Sequence, residues 1–355
     1  MAGINWKCPY MEASAQPSMT GIEAAVKVFG RLASNQAFVE FLFYHKSDLF
    51  LTVQSYEILL RLCLGNGKVL FSFENSSNIA MKKLVWFSFL VSAVLFSSCA
   101  TASLSKYHGI GRIKKYDIYS EQLPDSFDGF RIAFASDFHY ESRFGKKRLP
   151  GLLKALQAAD ADLLLLGGDY RGRNGGNLSE LFDVLYQVCV PYGTYGVMGN
   201  HENNANYEIV RQEMERTGIR LLEHQVDTLW KGNQYILLCG IRNPFDLTKN
   251  GISPTLSLQA EDYVIMLTHT PDYVEDVDVS NTDLALAGHT HGGQVSFFGR
   301  YTPAHFSKYG SRFLSGLKYN SAGIPVIITN GIGTSRKDIR LFTPSEIVLV
   351  ILHKY

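Results

Sequence analysis

The sequence predicts an α/β protein, a layered sandwich of two mostly mixed β-sheets that are flanked by helices. Three observations lead to this fold class. Apolar segments of strand length alternate with amphipathic helical segments in the middle of the chain, and strand-like segments dominate its last third. Several apolar segments show no polar alternation, which is typical of strands that are buried on both faces. Most of them end in glycine and polar residues, at the place where open α/β sheets bind ligands.

The size and charge of the chain narrow the possible functions. Its 355 residues, 46% of them hydrophobic, suffice for one large domain or two ordinary ones. Lys and Arg total 34 and Asp and Glu total 33, so the net charge is +1. Because nucleic-acid-binding domains usually carry a basic excess, we expect no nucleic-acid partner. We also expect a monomer.

Residues 1–106 divide into two segments of different character. In residues 1–80, charges interrupt each apolar stretch, and no chemical motif is present. After Met81 and two lysines, residues 84–96 carry no charge, and small residues precede Cys99. This pattern predicts a secretory signal peptide, with Cys99 resembling the lipidated residue of a bacterial lipoprotein. An uncleaved membrane anchor and a buried core helix are the alternatives.

A signal peptide normally stands at the start of a chain, so we interpret residues 1–80 as an N-terminal extension outside the native fold. Residues 81–106 are then the signal peptide or membrane anchor, and residues 107–355 form the folded domain. Segment 84–99 would bring the protein to a membrane surface. The two lysines before the apolar run favour an extracytoplasmic domain, with the cytoplasmic face as the alternative.

Predicted elements follow one another regularly from residue 107 onward. Residues 114–120 are expected to form an edge strand. The other predicted strands, which are mostly short and apolar, are 131–136, 163–166, 195–198, 235–240, 263–267, 283–287, 325–329 and 347–352. The predicted helices, which show an amphipathic pattern, are 149–158, 178–188 and 207–217.

Polar side chains follow five of these strands. Asp169 comes after four consecutive leucines and two glycines, and Asp137 and His139 are two residues apart after an earlier strand. Asn200, His201, His269, His289 and His291 also occupy strand ends. Each cluster alone could be turn chemistry, a helix cap or a satisfied core histidine. Five of the ten histidines lie at these strand ends, however, and together they indicate one shared site.

The chemistry of these side chains favours a pair of divalent cations. Imidazole and carboxylate ligands suit Mn, Fe or Zn better than they suit a soft thiolate site. Two cations roughly 3.5–4 Å apart need a ligand that bridges them, and a carboxylate has two oxygens for this purpose.

The motifs resemble the five blocks of the calcineurin-like metallophosphoesterases. The resemblance covers the chain from about Arg131 to its end, and it implies a metallophosphoesterase domain over residues 107–355. The matching blocks are 137–139, 168–169, 199–202, His269 and 288–291. The segments 127–132, 288–294 and 331–334 resemble a branch of membrane-associated phosphodiesterases that includes the bacterial UDP-2,3-diacylglucosamine pyrophosphatases of lipid A synthesis.

The resemblance implies a role for each residue of the site. The first metal would be held by Asp137, His139, Asp169 and His291. The second would be held by Asp169, Asn200, His269 and His289, so that Asp169 bridges the two. His201 would not bind metal but would face the substrate, stabilise developing charge and protonate the leaving oxygen. A hydroxide held by the metals would attack phosphorus.

Side chains beyond the metal ligands suggest the kind of substrate. Arg171 and Arg173 follow Asp169, and they could hold a second phosphate, which would favour a pyrophosphate. They could equally be solvated loop arginines. Tyr170 stands where the family more often has an aliphatic residue. Aromatic side chains after the last block could form a wall for acyl chains or join the core; these are Phe297, Phe298, Tyr301 and Phe306.

Three functions are consistent with such a site. The leading hypothesis is a two-metal phosphoester hydrolase, acting on a lipid-linked substrate such as UDP-2,3-diacylglucosamine or on an extracytoplasmic phosphodiester. A non-catalytic scaffold of the same fold that binds a partner protein is the alternative, although such scaffolds typically lose ligands. A redox di-iron protein is a third, although those are usually carboxylate-rich helix bundles.

Overall fold

The computed structural model describes residues 107–142, 144–172, 176–202, 205–297 and 301–355. Four features predicted from the sequence lie outside these residues: the extension 1–80, the signal or anchor segment 81–106 with Cys99, Arg173 and Phe298. Within these five ranges, no helix combines the length and apolar character that crossing a membrane requires.

The first sheet has six strands, three of which lead directly into the candidate site. In chain order they are β1 (Arg112–Ser120), β2 (Arg131–Ala135), β3 (Leu163–Leu166), β4 (Thr194–Gly196), β5 (Arg220–Leu221) and β12 (Glu346–Lys354). Their spatial order is β1-β12-β2-β3-β4-β5. Strands β2 to β5 run parallel, β12 is antiparallel to β2, and β1 is parallel to β12.

The second sheet also has six strands. They are β6 (Gln225–Lys231), β7 (Gln234–Gly240), β8 (Val264–Thr268), β9 (Leu284–Ala287), β10 (Gly316–Tyr319) and β11 (Pro325–Ile328). Their spatial order is β10-β11-β9-β8-β7-β6, and the four central strands are parallel. The antiparallel strands β6 and β10 form the edges.

The four leucines of β3 show how the sequence builds the core. Leu164 and Leu166 pack into a cluster with the helices, whereas Leu163 and Leu165 pack into the cluster between the two sheets. All four side chains are fully buried, so the absence of polar alternation follows from burial on both faces. Burial of each leucine side chain is worth roughly 1.5–3 kcal/mol.

Five α-helices in the described part of the chain complete the layers. The three longer ones are α1 (Leu149–Ala158), α2 (Leu178–Tyr186) and α3 (Ala205–Arg216), and the short ones are α4 (Leu247–Asn250) and α5 (Tyr273–Asp276). Asn177 caps α2, because its side chain accepts a hydrogen bond from the Ser179 amide. The outer face of the second sheet packs against α5 through Tyr273 and Val274.

The structure confirms the predicted fold class of two mixed sheets with flanking helices. All nine predicted strands and all three predicted helices are present, with ends that differ by at most two residues. The edge position predicted for the first strand is also correct. Strands β5, β6 and β10 and the two short helices were not predicted from the sequence. Strand β6 could have been found, because Gly232 and Asn233 form the two-residue turn signal of a hairpin with β7.

Candidate metal centre

The candidate site lies where the carboxyl ends of strands from both sheets meet. Strands β2, β3 and β4 deliver Asp137, His139, Asp169, Asn200 and His201, and strands β8 and β9 deliver His269, His289 and His291. The predicted metal ligands, which come from five strand ends, therefore converge at one edge of the sandwich.

The first group of side chains is Asp137, His139 and His291, and all three are buried. The two Nε2 atoms of the histidines are 3.0 Å apart. His291 Nε2 lies 3.4 Å from Asp137 Oδ1, and His139 Nε2 lies 3.4 Å from Asp169 Oδ2. The ligand atoms of Asp137, His139 and His291 could hold one metal ion, and Asp169 Oδ2 lies beside them.

The second group contains Asp169, His269 and His289. His269 Nε2 lies 3.4 Å from Asp169 Oδ2, 3.2 Å from His289 Nδ1 and 3.1 Å from Asn200 Oδ1. The single atom Asp169 Oδ2 is thus equally close to a histidine of each group. That is the position that a bridging carboxylate requires.

The donor set fits divalent cations. Burial lowers the pKa of His139 to about 4, and it lowers the pKa of His291 well below its ordinary value. Both imidazoles are therefore neutral at pH 7, as metal ligands must be. Burial also lowers the pKa of His269, but the charge of Asp169 outweighs this effect and raises it to about 10. Without a metal, a proton on His269 thus compensates the buried carboxylate.

Unusual backbone conformations direct the side chains of the candidate ligands towards the site. Five non-glycine residues of the site have left-handed backbone angles, with φ of 56° at Asp137, 40° at His139, 55° at Asp169, 68° at His289 and 54° at His291. Such conformations cost of order 1–3 kcal/mol each and are found mainly at functional sites. The surrounding hydrogen bonds must therefore hold the loops in place.

Two glycines let the ligand loops approach each other closely. A Cβ atom on Gly199 would lie 2.2 Å from Asp169 Oδ1, and one on Gly288 would lie 2.3 Å from Asp137 Oδ2. Larger residues at these positions would displace the carboxylates. The glycines that precede Asn200 and His289 are thus part of the site.

Backbone amides fix the two carboxylates. The amide of His289 donates to both oxygens of Asp137, at 3.1 and 3.0 Å, and the amide of His201 donates to Asp169 Oδ1 at 2.9 Å. His269 Nδ1 lies 2.7 Å from the carbonyl oxygen of Gly167. This contact leaves Nε2 of His269 directed at the site, as is usual for a metal-binding histidine.

Glu202 is an important residue to which the sequence analysis gave no role. Its buried carboxylate accepts hydrogen bonds from the amides of Asp169, Tyr170 and Gly199, at 2.8, 2.9 and 2.8 Å. Burial and the charge of Asp169 raise the pKa of Glu202 to about 7. This carboxylate ties the loop after β3 to the loop after β4. The one feature of the sequence that points to Glu202 is its position directly after His201.

Arg340 is a second residue that the sequence analysis missed. Its guanidinium donates to the carbonyl oxygens of Asn330 at 2.7 Å and Gly333 at 2.9 Å, and it approaches His291 Nδ1 at 3.4 Å. It therefore connects the loop after β9 to the loop after β11. No local pattern around Arg340 indicates this role.

His201 is more exposed to solvent than His139, with which it forms a cluster around Asp169. Its side chain is 29% exposed, and its Nε2 lies 4.0 Å from Asp169 Oδ2. The His201 ring meets the His139 ring edge-on, with centroids 4.6 Å apart. Together with His139 and Asp169 it forms a third group of ligand atoms that could hold a metal.

Of the two arginines predicted to contact substrate, only Arg171 is described by the structure. Arg171 donates to Asn206 at 2.9 Å, and Asn206 donates to the carbonyl oxygen of His201. Arg171 is thus connected to the His201 loop, whereas Arg173 lies outside the described residues. Tyr170 is fully buried and stacks on Phe138.

Of the aromatic residues predicted to form a wall or join the core, none that the structure describes joins the buried core, so that alternative is wrong for Phe297, Tyr301 and Phe306. Phe297 and Tyr301 are 45% and 70% exposed. Phe306 is half-buried, and its ring meets that of His291 with centroids 6.2 Å apart.

The chain is similar to known metallophosphoesterases over the region that contains these side chains. A family model described as calcineurin-like phosphoesterase matches residues 130–293, which contain all seven predicted metal ligands. The chain is 28% identical over 247 residues to an uncharacterized metallophosphoesterase of Aquifex aeolicus, covering 68% of this chain and 91% of the relative. It is 24% identical over 288 residues to the uncharacterized metallophosphoesterase YkuE of Bacillus subtilis, covering 77% and 99%.

A third relative has a more specific name. The chain is 32% identical over 176 residues to the phosphodiesterase YaeI of Escherichia coli, which covers 48% of this chain and 64% of that one. Members of the matched family normally bind divalent metals, in agreement with the groups of ligand atoms at the strand ends. Residues 130–293 therefore form a calcineurin-like phosphoesterase domain, and the protein is a metal-dependent hydrolase of phosphoric esters.

Proposed function

We propose that the protein hydrolyses a phosphodiester or pyrophosphate bond at a two-metal centre bridged by Asp169. One observation carries this proposal. Asp169 Oδ2 lies 3.4 Å from both His139 Nε2 and His269 Nε2, so one carboxylate oxygen faces both histidine groups. A mononuclear site would not need a shared, fully desolvated carboxylate between two sets of ligand atoms.

The proposed ligand sets follow the two groups. Asp137, His139, Asp169 and His291 would hold the first cation, and Asp169, Asn200, His269 and His289 would hold the second. Divalent cations at such a centre polarise the phosphoryl group and lower the pKa of water. The protein itself contributes fixed imidazoles, neutral at His139 and His291, and two carboxylates whose orientation the backbone amides determine.

His201 is suited to act on the substrate. Its amide is bound to Asp169 Oδ1, so the imidazole is held at the edge of the centre, and its partial exposure leaves one side accessible. A histidine so placed can donate a proton to the leaving oxygen, which typically contributes 10²–10⁴-fold to a rate. We therefore assign His201 as the proton donor.

We further propose that the substrate has an apolar part. Phe245 is 46% exposed, and its ring meets the ring of His289 with centroids 5.1 Å apart. An exposed phenyl group beside a metal centre supports a lipid-linked substrate, with UDP-2,3-diacylglucosamine as the named candidate. A small extracytoplasmic phosphodiester is the competing substrate, and the two lysines before the apolar run favour its location.

Activity measurements separate these possibilities. The full chain with Mn²⁺ is expected to hydrolyse bis(p-nitrophenyl) phosphate, and His201→Ala is expected to slow this roughly 10²–10⁴-fold. His353→Ala, which removes a histidine of β12 that pairs with Asp117 of β1, is the matched control. An unchanged rate in His201→Ala would exclude this residue as proton donor. Hydrolysis of UDP-2,3-diacylglucosamine, with the masses of both products recorded, tests the lipid substrate directly.

A further inference from the structure

The chain enters the folded domain at the same edge as the metal centre. Strand β1 begins at Arg112, which is paired with Glu346 at the start of β12. Because β12 is antiparallel to β2, both starts lie at the edge where β2 ends and Asp137 follows. The uncharged residues 84–105 end two positions before Tyr107. An anchor in that segment, or a lipid on Cys99, would therefore be attached at the edge that carries the metal centre.

Exposed apolar side chains are concentrated at this edge. Among the residues that the structure describes, eight Phe, Leu and Ile side chains are exposed, and six of them lie at the site edge, five in loops and Leu247 at the start of α4. We call these six the rim: Phe245, Leu247, Ile252, Phe297, Ile339 and Phe342. At the opposite edge the exposed large side chains are tyrosine and tryptophan, such as Tyr119 and Trp230.

The rim occupies two sides of the metal centre. Phe245, Leu247 and Ile252 follow β7, and the Phe245 ring lies against the rings of His269 and His289. On the other side, Phe297 and Phe342 lie with ring centroids 6.3 Å apart. Ile252 is 77% exposed and Ile339 is 54% exposed, so both remain accessible to a partner.

Basic side chains accompany the rim. Arg336 and Lys337 are exposed next to Ile339, and the Arg336 guanidinium lies 5.4 Å from the centroid of the Phe306 ring. Lys147 is exposed on the turn before α1, which also lies at the site edge. Apolar side chains with adjacent Lys and Arg are the combination that binds anionic lipid surfaces.

We infer that the edge carrying the metal centre docks on a lipid bilayer, with the rim in the interfacial region and the basic side chains at anionic headgroups. An anchor in residues 84–99 would be attached at this same edge, so that anchor and rim would contact one surface, which favours a bilayer over a second copy or another protein. This docking goes beyond the proposed reaction and does not depend on it. Its consequence is that a substrate embedded in the bilayer would reach the centre without leaving the membrane.

Tryptophan fluorescence in vesicles tests the docking. The full chain carrying Ile252→Trp or Ile339→Trp is reconstituted in phosphatidylcholine–phosphatidylglycerol vesicles, with and without brominated acyl chains. Tyr119→Trp, at the opposite edge, is the matched control. The three native tryptophans are common to all variants and are subtracted. If the rim lies in the interfacial region, bromine should reduce the fluorescence of the added rim tryptophans at least about twofold. The fluorescence of the tryptophan added in the control should hardly change.

Further outcomes decide between the possible partners of the rim. Adding Arg336→Glu and Lys337→Glu is expected to reduce the quenching of Ile339→Trp in anionic vesicles. A rim tryptophan whose emission shifts to the blue without bromine quenching would show burial against protein, and it would overturn the proposal, as would equal quenching at both edges. Bromine quenching without hydrolysis of bis(p-nitrophenyl) phosphate would support docking and count only against the proposed reaction.

Discussion

The two halves of the metal centre differ in their access to solvent. The Asp137, His139 and His291 side chains are almost completely buried, whereas the opposite half combines the fully buried His269 with the half-buried His289 and the exposed Asn200. Ligands that are fully buried before metal binding must be fixed by protein contacts, and here backbone amides and Arg340 provide them. The open half is then the side from which a metal or a substrate can enter. We expect the closed half to bind its metal more tightly.

Asp169 belongs to both halves, so its replacement should have the largest effect. Asp169→Asn removes the negative charge between the two ligand groups and leaves the His269 proton without its counter-charge. We expect hydrolysis of bis(p-nitrophenyl) phosphate to fall by at least about a thousandfold, because both cations lose a ligand. Metal content by mass spectrometry should fall for both ions, while circular dichroism remains that of a folded protein. Retention of two metals per chain would contradict the bridging position.

Replacement of one ligand in each half tests the difference between them. His291→Ala in the closed half should remove one metal, and high Mn²⁺ should not restore activity. Asn200→Ala in the open half should weaken metal binding about 10–100-fold, and millimolar Mn²⁺ should restore activity, because water can take the place of the exposed amide. Activity titrated against Mn²⁺ measures both. Equal rescue of the two variants would show that the halves do not differ in metal affinity.

Replacement of Glu202 should have a smaller effect on metal binding, because Glu202 orients the loops that carry the ligands but belongs to neither ligand group. Glu202→Gln replaces one accepting oxygen with an NH₂ group, so at least one amide among Asp169, Tyr170 and Gly199 loses its partner. Changes behind metal ligands typically cost 10–100-fold in metal affinity or activity. We expect a weaker Mn²⁺ affinity in a titration and a lower melting temperature. Glu208→Gln on the exposed face of α3 is the control, since its partner Arg211 is also exposed.

The site could be predicted from sequence where local patterns carry the information. Runs such as Leu163–Leu166 indicate buried strands, and the chemistry of Asp169 and His291 indicates what the strand ends bind. Glu202 was missed because its role depends on two loops that are adjacent only in the fold. Arg340 lies 49 residues after the histidine that it contacts, so no spacing indicates it. The rim residues are ordinary loop residues in sequence, and only their exposure at one edge distinguishes them.

The smallest effect, a change in stability, is expected from replacing Asp283. This partly buried carboxylate lies at the edge opposite the candidate metal centre. Asp283, just before β9, accepts a hydrogen bond from the Val264 amide at 2.7 Å, and burial raises its pKa from 3.8 to about 6. Because the folded protein holds this proton more tightly than the unfolded chain does, the contribution of Asp283 to stability is present below about pH 4 and is lost as the pH rises through 6.

Asp283→Asn keeps an oxygen that can accept the Val264 hydrogen bond and removes the charge, so it should stabilise the protein at pH 8 and change little at pH 4. After allowance for partial exposure we expect roughly 1–2 kcal/mol, or a melting temperature a few degrees higher. Thermal unfolding at several pH values between 4 and 8 measures this difference. Stabilisation at pH 4 as large as at pH 8 would mean that the charge of Asp283 is not its cause. A result confined to high pH would show that the charge of the partly buried Asp283 reduces the stability of the folded protein.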